Sequence, residues 1–324
     1  MSLNGALGQS QVFYQPAPAV AGDFASANTN RFTVLAGPGG LVAGPQGLTV
    51  GLFAWLSSTF IDTNGSPQVA NNFGVGAPAG FVQRDQQALI TTYLADASMV
   101  VPAGMPVTLF DSGDFWVVNN GTTQAIANVS VAYANYANGQ VSFAAAGSLA
   151  NSTATTFAIV AETFSVTGGI TGNVLTVTAV GSGVIQPGSV LGSNAQNATV
   201  LAQVSGTPGG IGVYTVSVPE QSLAPLSTIT GTWGQLTVGG TVTGAFPLGA
   251  LLSGTAVPTG ATIAANATNG VSLTGTGGAG TYVTQTATAS SGTLTAATDF
   301  QTKFLARSSG QPGELVKMSS TAFG

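Results

Sequence analysis

AGFVQRDQQALITTYLADASMVVPAGMPVTLFDSGDFWVV, residues 79–118, is the stretch whose reading decides the fold of this 324-residue chain. It contains three short β-prone runs, Gly80-Phe81-Val82, Val107-Thr108-Leu109-Phe110 and Phe115-Trp116-Val117-Val118, with Pro102-Ala103-Gly104 as a turn ahead of the second. Brief runs rich in Val, Phe and Trp, bounded by Gly, Pro, Ser and Asp, read as strands. The middle, Gln86 to Ser98, admits two readings: Leu89, Tyr93 and Ala97 recur at helical spacing, while Ile90-Thr91-Thr92-Tyr93 is β-prone. Strand is the expectation there, with a short helix as the alternative. Five of the chain's fifteen charged residues fall in this stretch: Arg84, Asp85, Asp96, Asp111 and Asp114.

The same punctuation continues on both sides. Residues 1–30 are small and polar, with Pro16 and Pro18 close together, and read as an arm. Arg31 to Leu35 and Leu48 to Leu56 are strand candidates, separated by the glycine and proline clusters at 37–40 and 44–47. Asn64-Gly65 is a candidate tight turn. Downstream, Val129 to Tyr133 and Gln140 to Phe143 flank Asn138-Gly139, the strongest short-range hairpin signal.

Composition agrees. Only 5% of residues are charged, against about 25% in ordinary globular proteins. The 46 glycines, with abundant Thr, Ser, Ala and Val, suit short strands and tight turns rather than helices. The expectation is an all-β chain. A net charge of −5 with five cations leaves no basic face for nucleic acid, and no apolar run approaches the roughly 18–20 residues of a membrane-spanning helix. The N-terminal residues do not read as a secretory signal. Zero cysteines exclude disulfides and thiolate metal sites, and suit synthesis in a reducing cytoplasm. Zero histidines remove the commonest general base and metal ligand. No enzymatic activity and no cofactor are expected.

From residue 163 to 298 one residue, Glu220, is charged. This neutral region repeats itself: LTVTAVGSGVIQPGSVL at 175–191 aligns with LTVGGTVTGAFPLGALL at 236–252, matching Gly183 to Gly244 and Gly188 to Gly249. GTPGGIGVYTV at 206–216 aligns with GTGGAGTYVT at 275–284, matching Tyr214 to Tyr282. Charge then returns with Asp299, Lys303, Arg307, Glu314 and Lys317. A charged, neutral, charged order is explained by an insertion at a surface loop whose ends lie close together. The expected division is a sandwich- or barrel-like base domain, 1–162 plus 298–324, with two similar β modules inserted at 163–231 and 232–297.

Several segments carry a resemblance: GFVQRDQQALITTYLADAS at 80–98, PVTLF at 106–110, GDFWV at 113–117, FTVLAGPGGLVAG at 32–44, AYANYANGQVSFA at 132–144 and QTKFLARSSGQPGELVKMSS at 301–320. Together they resemble the head-decoration, or cement, proteins of tailed bacteriophages. Gln301 stands where that family commonly has Glu, and Phe304 where it has Trp. The glycine- and threonine-rich repeats resemble add-on modules of phage head and tail-fibre proteins. The resemblance implies a virion protein on the outer face of an icosahedral head. It would be made in the host cytoplasm, bind the major capsid protein and stabilise its contacts without catalysis. It would also self-associate, as a trimer first and a dimer next, without nucleic acid or membrane. The alternative is a tail-fibre or adhesin-like protein that binds host-surface carbohydrate.

The candidate capsid or subunit contacts are Arg84, Asp85, Trp116, Lys303 and Arg307. Arg84 beside Asp85 is either a solvated pair worth little or, in so cation-poor a chain, an anchor for an acidic partner surface, since interface cores favour Arg and aromatics. Trp55, Phe115 and Trp116 are expected in the core. Asp111 and Asp114 offer two carboxylates, where a hard-cation site takes six to eight oxygens. They read as a polar turn whose side chains bind backbone N–H groups.

Overall fold

The computed structural model describes residues 19–37, 40–57, 68–84, 98–148, 152–218, 221–265 and 278–321. It is all β: among those residues the single helical element is a 3-10 turn, Ser193–Ala195. The first strands are β1 (Phe32–Thr33), β2 (Val42–Ala43), β3 (Leu48–Thr49), β4 (Phe53–Leu56), β5 (Val69–Asn71), β6 (Gly80–Val82) and β7 (Val100–Val101). There follow β8 (Leu109–Ser112), β9 (Asp114–Val118), β10 (Val131–Asn135) and β11 (Val141–Ala144). The neutral region contributes β12 (Ser152–Thr171), β13 (Val174–Ser182), β14 (Val190–Leu191), β15 (Val200–Gly206), β16 (Gly212–Val216) and β17 (Ser222–Thr243). It continues with β18 (Leu251–Ser253), β19 (Ile263–Ala265), β20 (Gly280–Thr284) and β21 (Ser290–Ala297), before β22 (Asp299–Ala306) and β23 (Leu315–Ser319).

Glycine sets several of these boundaries. The run expected as one strand from Leu48 to Leu56 is two, β3 and β4, because Gly51 turns the chain with φ of +80°. A Cβ there would meet Ala21 Cβ at 3.0 Å, so a larger residue would also have to push that neighbour aside. Gly113, at φ of +145°, separates β8 from β9. The hairpin around Asn138-Gly139 forms as the sequence indicates, with Gly139 at φ of +69° and Ala134 paired to Val141. Gln86 to Ala97 and Asn64-Gly65 lie outside the described residues.

Two sheets face each other across an aromatic core. One has the order β1-β8-β6-β4-β5-β2; the other runs β11-β10-β22-β23-β9, so strands from the C-terminal end complete a sheet begun near residue 114. Phe53 and Phe81 from the first sheet meet Phe115 and Phe304 from the second: Phe81 and Phe115 rings lie 4.7 Å apart, and Phe53 and Phe304 rings 5.6 Å apart. All four are at most 2% exposed. Such aromatic pairs add about 0.5–1.5 kcal/mol each beyond the area they bury.

The third and largest sheet is built on β12 and β17, which pair antiparallel from Thr153↔Thr243 to Thr171↔Ser222. Residues 152–162, placed with the base by the charge pattern, pair here with β17 and β21. Each long strand serves two cores. Phe164, Val166 and Ile170 of β12 pack with Leu175, Ile185 and Tyr214; Phe157 and Ile159 of the same strand pack with Leu236, Phe246 and Tyr282. The repeat is visible side chain by side chain. Leu175 and Leu236, Ile185 and Phe246, and Leu191 and Leu252 are all buried. Tyr214 donates to the Gly210 carbonyl at 2.7 Å, and Tyr282 donates to the Gly278 carbonyl at 2.6 Å.

Candidate functional site

The charged residues gather where an N-terminal segment crosses the open edge of β9. Gly22 N–H donates to Trp116 O (2.8 Å), Trp116 N–H to Asp23 O (2.9 Å) and Ala25 N–H to Asp114 O (2.9 Å). Phe24 bridges to Phe115, so the segment covers a sheet edge that would otherwise present unpaired backbone. Arg84, just past β6, holds this segment. Its backbone N–H donates to Gly22 O at 3.0 Å and its Nη1 reaches Asp23 Oδ1 at 3.4 Å. The ionic partner of Arg84 is therefore Asp23, 61 residues away; Asp85 lies outside the described residues. Arg31 also grips the segment, with its guanidinium carbon 3.7 Å from the Phe24 ring centroid.

Trp116 does not enter the core as its neighbours do. Phe115 and Val117 are fully buried, while Trp116 is half-buried on the opposite side of β9. There it pairs with Lys317 of β23, whose ammonium lies 5.1 Å from the indole centroid. That geometry is a cation–π contact worth about 0.5–1 kcal/mol at an exposed site. Lys303 of β22 donates to Asp111 Oδ1 at 2.7 Å, with both side chains about half exposed (51% and 54%). An open groove of about 400 Å³ surrounds that pair, lined also by Phe32 and Thr321. Phe32 is 64% exposed and Leu35 94% exposed on the same edge of the first sheet.

Arg307, just past β22, donates through Nη1 to Asn128 Oδ1 at 2.7 Å and through Nη2 to the Thr321 carbonyl. Asn128 holds a left-handed backbone, φ of +60°. Nearby lies Asp114, 5% exposed. Burial raises its pKa, but hydrogen bonds from Ser26, Ser319 and Asn28 and the charge of Arg307 outweigh it, so the carboxyl titrates below the usual aspartate range. The two aspartates of Asp111-Ser112-Gly113-Asp114 thus diverge, one to Lys303 and the other to the N-terminal segment. The turn reading is corrected in one respect: their partners are side chains from distant parts of the chain.

All five cations are engaged within the molecule: Arg31 with Phe24, Arg84 with Asp23, Lys303 with Asp111, Arg307 with Asn128 and Lys317 with Trp116. Sequence reading missed Asp23, Asn128 and Lys317, whose roles depend on partners at least 61 residues distant and carry no local signal. Among the described residues no cluster of three or more carboxylates offers a metal site. Lys303, Phe32 and Leu35 stand exposed on this surface and Trp116 is partly exposed beside them.

Comparison with known proteins adds one match. Residues 8–186, more than half of the chain, match a family model described as XM1 gp53 minor capsid protein. The matched span includes Arg84 and Trp116 and ends after β13, short of Lys303 and Arg307. No curated protein and no solved structure matches the chain.

Proposed function

This chain belongs to the XM1 gp53 minor capsid protein family, which makes it a structural protein of the phage capsid, and we propose that its particular role is that of a cement protein. In this reading it binds the outer face of the head, bridges neighbouring major capsid subunits and catalyses nothing. The observation that carries the reading is the minor-capsid match over the first half of the chain, joined to a half-exposed aromatic and charged surface on the same part of the fold. Many weak contacts of this kind sum when copies occupy a symmetric shell, because each bound site raises the effective concentration at the next.

The division of labour follows the sheets. The two facing sheets, with Trp116, Lys303 and Arg307, form the gripping unit, and the sheet built on β12 and β17 projects from it. A homotrimer at local threefold positions is the proposed assembly. The test is to add the purified chain to heads that lack it. Saturable binding, added density at regular positions over the shell and a rise in the temperature at which heads release DNA are expected. Absence of binding, or density confined to the tail tip, overturns the reading.

A further inference from the structure

A broad cleft lies where three packed units meet. One wall comes from the first sheet and the β10–β11 hairpin, another from the Tyr214 core and the third from the Tyr282 core. Two close contacts lock the walls together. A Cβ placed on Gly249 would sit 2.3 Å from Ala137 Cβ, and one on Gly188 would sit 2.2 Å from Ala264 Cβ. These two glycines are repeat equivalents, each with positive φ, and neither tolerates a side chain without moving a neighbouring unit. The cleft is therefore built into the packing. Its volume is about 500 Å³, within the roughly 300–1,000 Å³ typical of ligand sites, which favour domain junctions.

We propose that this cleft binds a neutral saccharide. Its described lining contains no Asp, Glu, Lys or Arg, so nothing there matches a phosphate, a carboxylate ligand or a metal ion. Its polar members are amides and hydroxyls, which both donate and accept and so suit vicinal sugar hydroxyls. Gln285 donates through Nε2 to Thr262 Oγ1 at 2.9 Å, which leaves its carbonyl oxygen to accept. Ser217 Oγ accepts the Thr199 N–H at 2.9 Å, which leaves its own proton to donate. Asn71 is 6% exposed and lines the cleft, and its Oδ1 is buried with no hydrogen-bond partner. That oxygen packs against Gly44, where an added Cβ would sit 1.9 Å from it, so Asn71 holds the wall in place and Gln285 and Ser217 are the groups open to a ligand. Trp55 and Tyr136 supply the apolar part of the wall, with ring centroids 6.2 Å apart and planes inclined by 38°. Trp55 keeps its indole N–H bonded to Gly76 O at 3.0 Å, which fixes the ring in place.

The experiment uses the full chain and three probes: maltotriose, cellotriose and the N-acetylglucosamine trimer. Tryptophan fluorescence and calorimetry are read at millimolar sugar. Saturable binding of at least one trisaccharide is expected, with a fluorescence change that is lost in Trp55→Phe. Gln285→Ala is expected to weaken that binding by about tenfold. Gln285 belongs to no buried core, so its variant is expected to fold and keeps the test sound. Failure of all three sugars to bind, or binding that Gln285→Ala leaves unchanged, overturns the proposal. The measurement needs no phage head, so its outcome is independent of the cement role.

Discussion

Asp114 ties three parts of the chain together through one carboxylate. It accepts from Ser26 and, at 3.2 Å, from Asn28 Nδ2 of the N-terminal segment, and it feels Arg307 from the C-terminal one. Its folded pKa lies below its unfolded value of about 3.9. The stabilisation is therefore complete above that value and is lost as pH falls through the folded pKa. Asp114→Asn is expected to lower stability at pH 7 by about 1–2 kcal/mol, because a charge-assisted acceptor becomes a neutral one. Denaturant titrations of both proteins from neutral to acid pH check this. The gap should close as the wild type is acidified, and a gap independent of pH would show that Asp114 acts through packing alone. None of this was legible in the sequence. Asp111 and Asp114 look alike there, and partners 88 and 192 residues away decide that one is buried and the other exposed.

At the scale of elements, the two long strands explain why a duplicated sequence does not give two separate beads. The hairpin turn at Gly172, φ of +60°, lets β12 fold back on β13. At the corresponding place in the second copy β17 runs straight on through Trp233 and Gly234, so its partner is β12 again. One strand then carries Phe157 into the Tyr282 core and Phe164, seven positions later, into the Tyr214 core. Replacing either phenylalanine by Ala should cost about 3–5 kcal/mol, the range for buried aromatics. Because both cores share the same pairing, each substitution is expected to lower a single common melting transition. Calorimetry that resolves two transitions, with only one displaced by Phe164→Ala, would contradict shared folding. The repeat itself was legible from glycine and tyrosine spacing. The shared strands were not, because alternation of buried and exposed residues is the same in a strand that turns and one that continues.

For the whole molecule, the ends of the neutral region lie side by side. Gly147 N–H donates to Gln301 Oε1 at 2.7 Å, and Tyr136 N–H donates to Thr298 O at 3.0 Å. Deleting 152–297 is therefore expected to leave a folded, soluble remainder. It should be less stable than the full chain, because Leu251 and Ala297 no longer pack on the Phe115 core. Circular dichroism and head binding check this: retained strand signal with retained binding is expected, and an unfolded remainder would refute the insertion model. The sequence by itself determined the all-β class, the β10–β11 hairpin, the repeat and the charge pattern. All of these depend on residue type and spacing, which act locally through backbone sterics and alternating burial. Only the tertiary structure decided that Gly51 divides one apolar run into two strands and that β22 and β23 enter a sheet begun near residue 114. It also decided that Arg84 reaches Asp23, 61 residues away, and that three units enclose a neutral cleft. Those outcomes rest on contacts between residues far apart in the chain, where packing of Ala21, Ala137 or Ala264 against a glycine selects one arrangement.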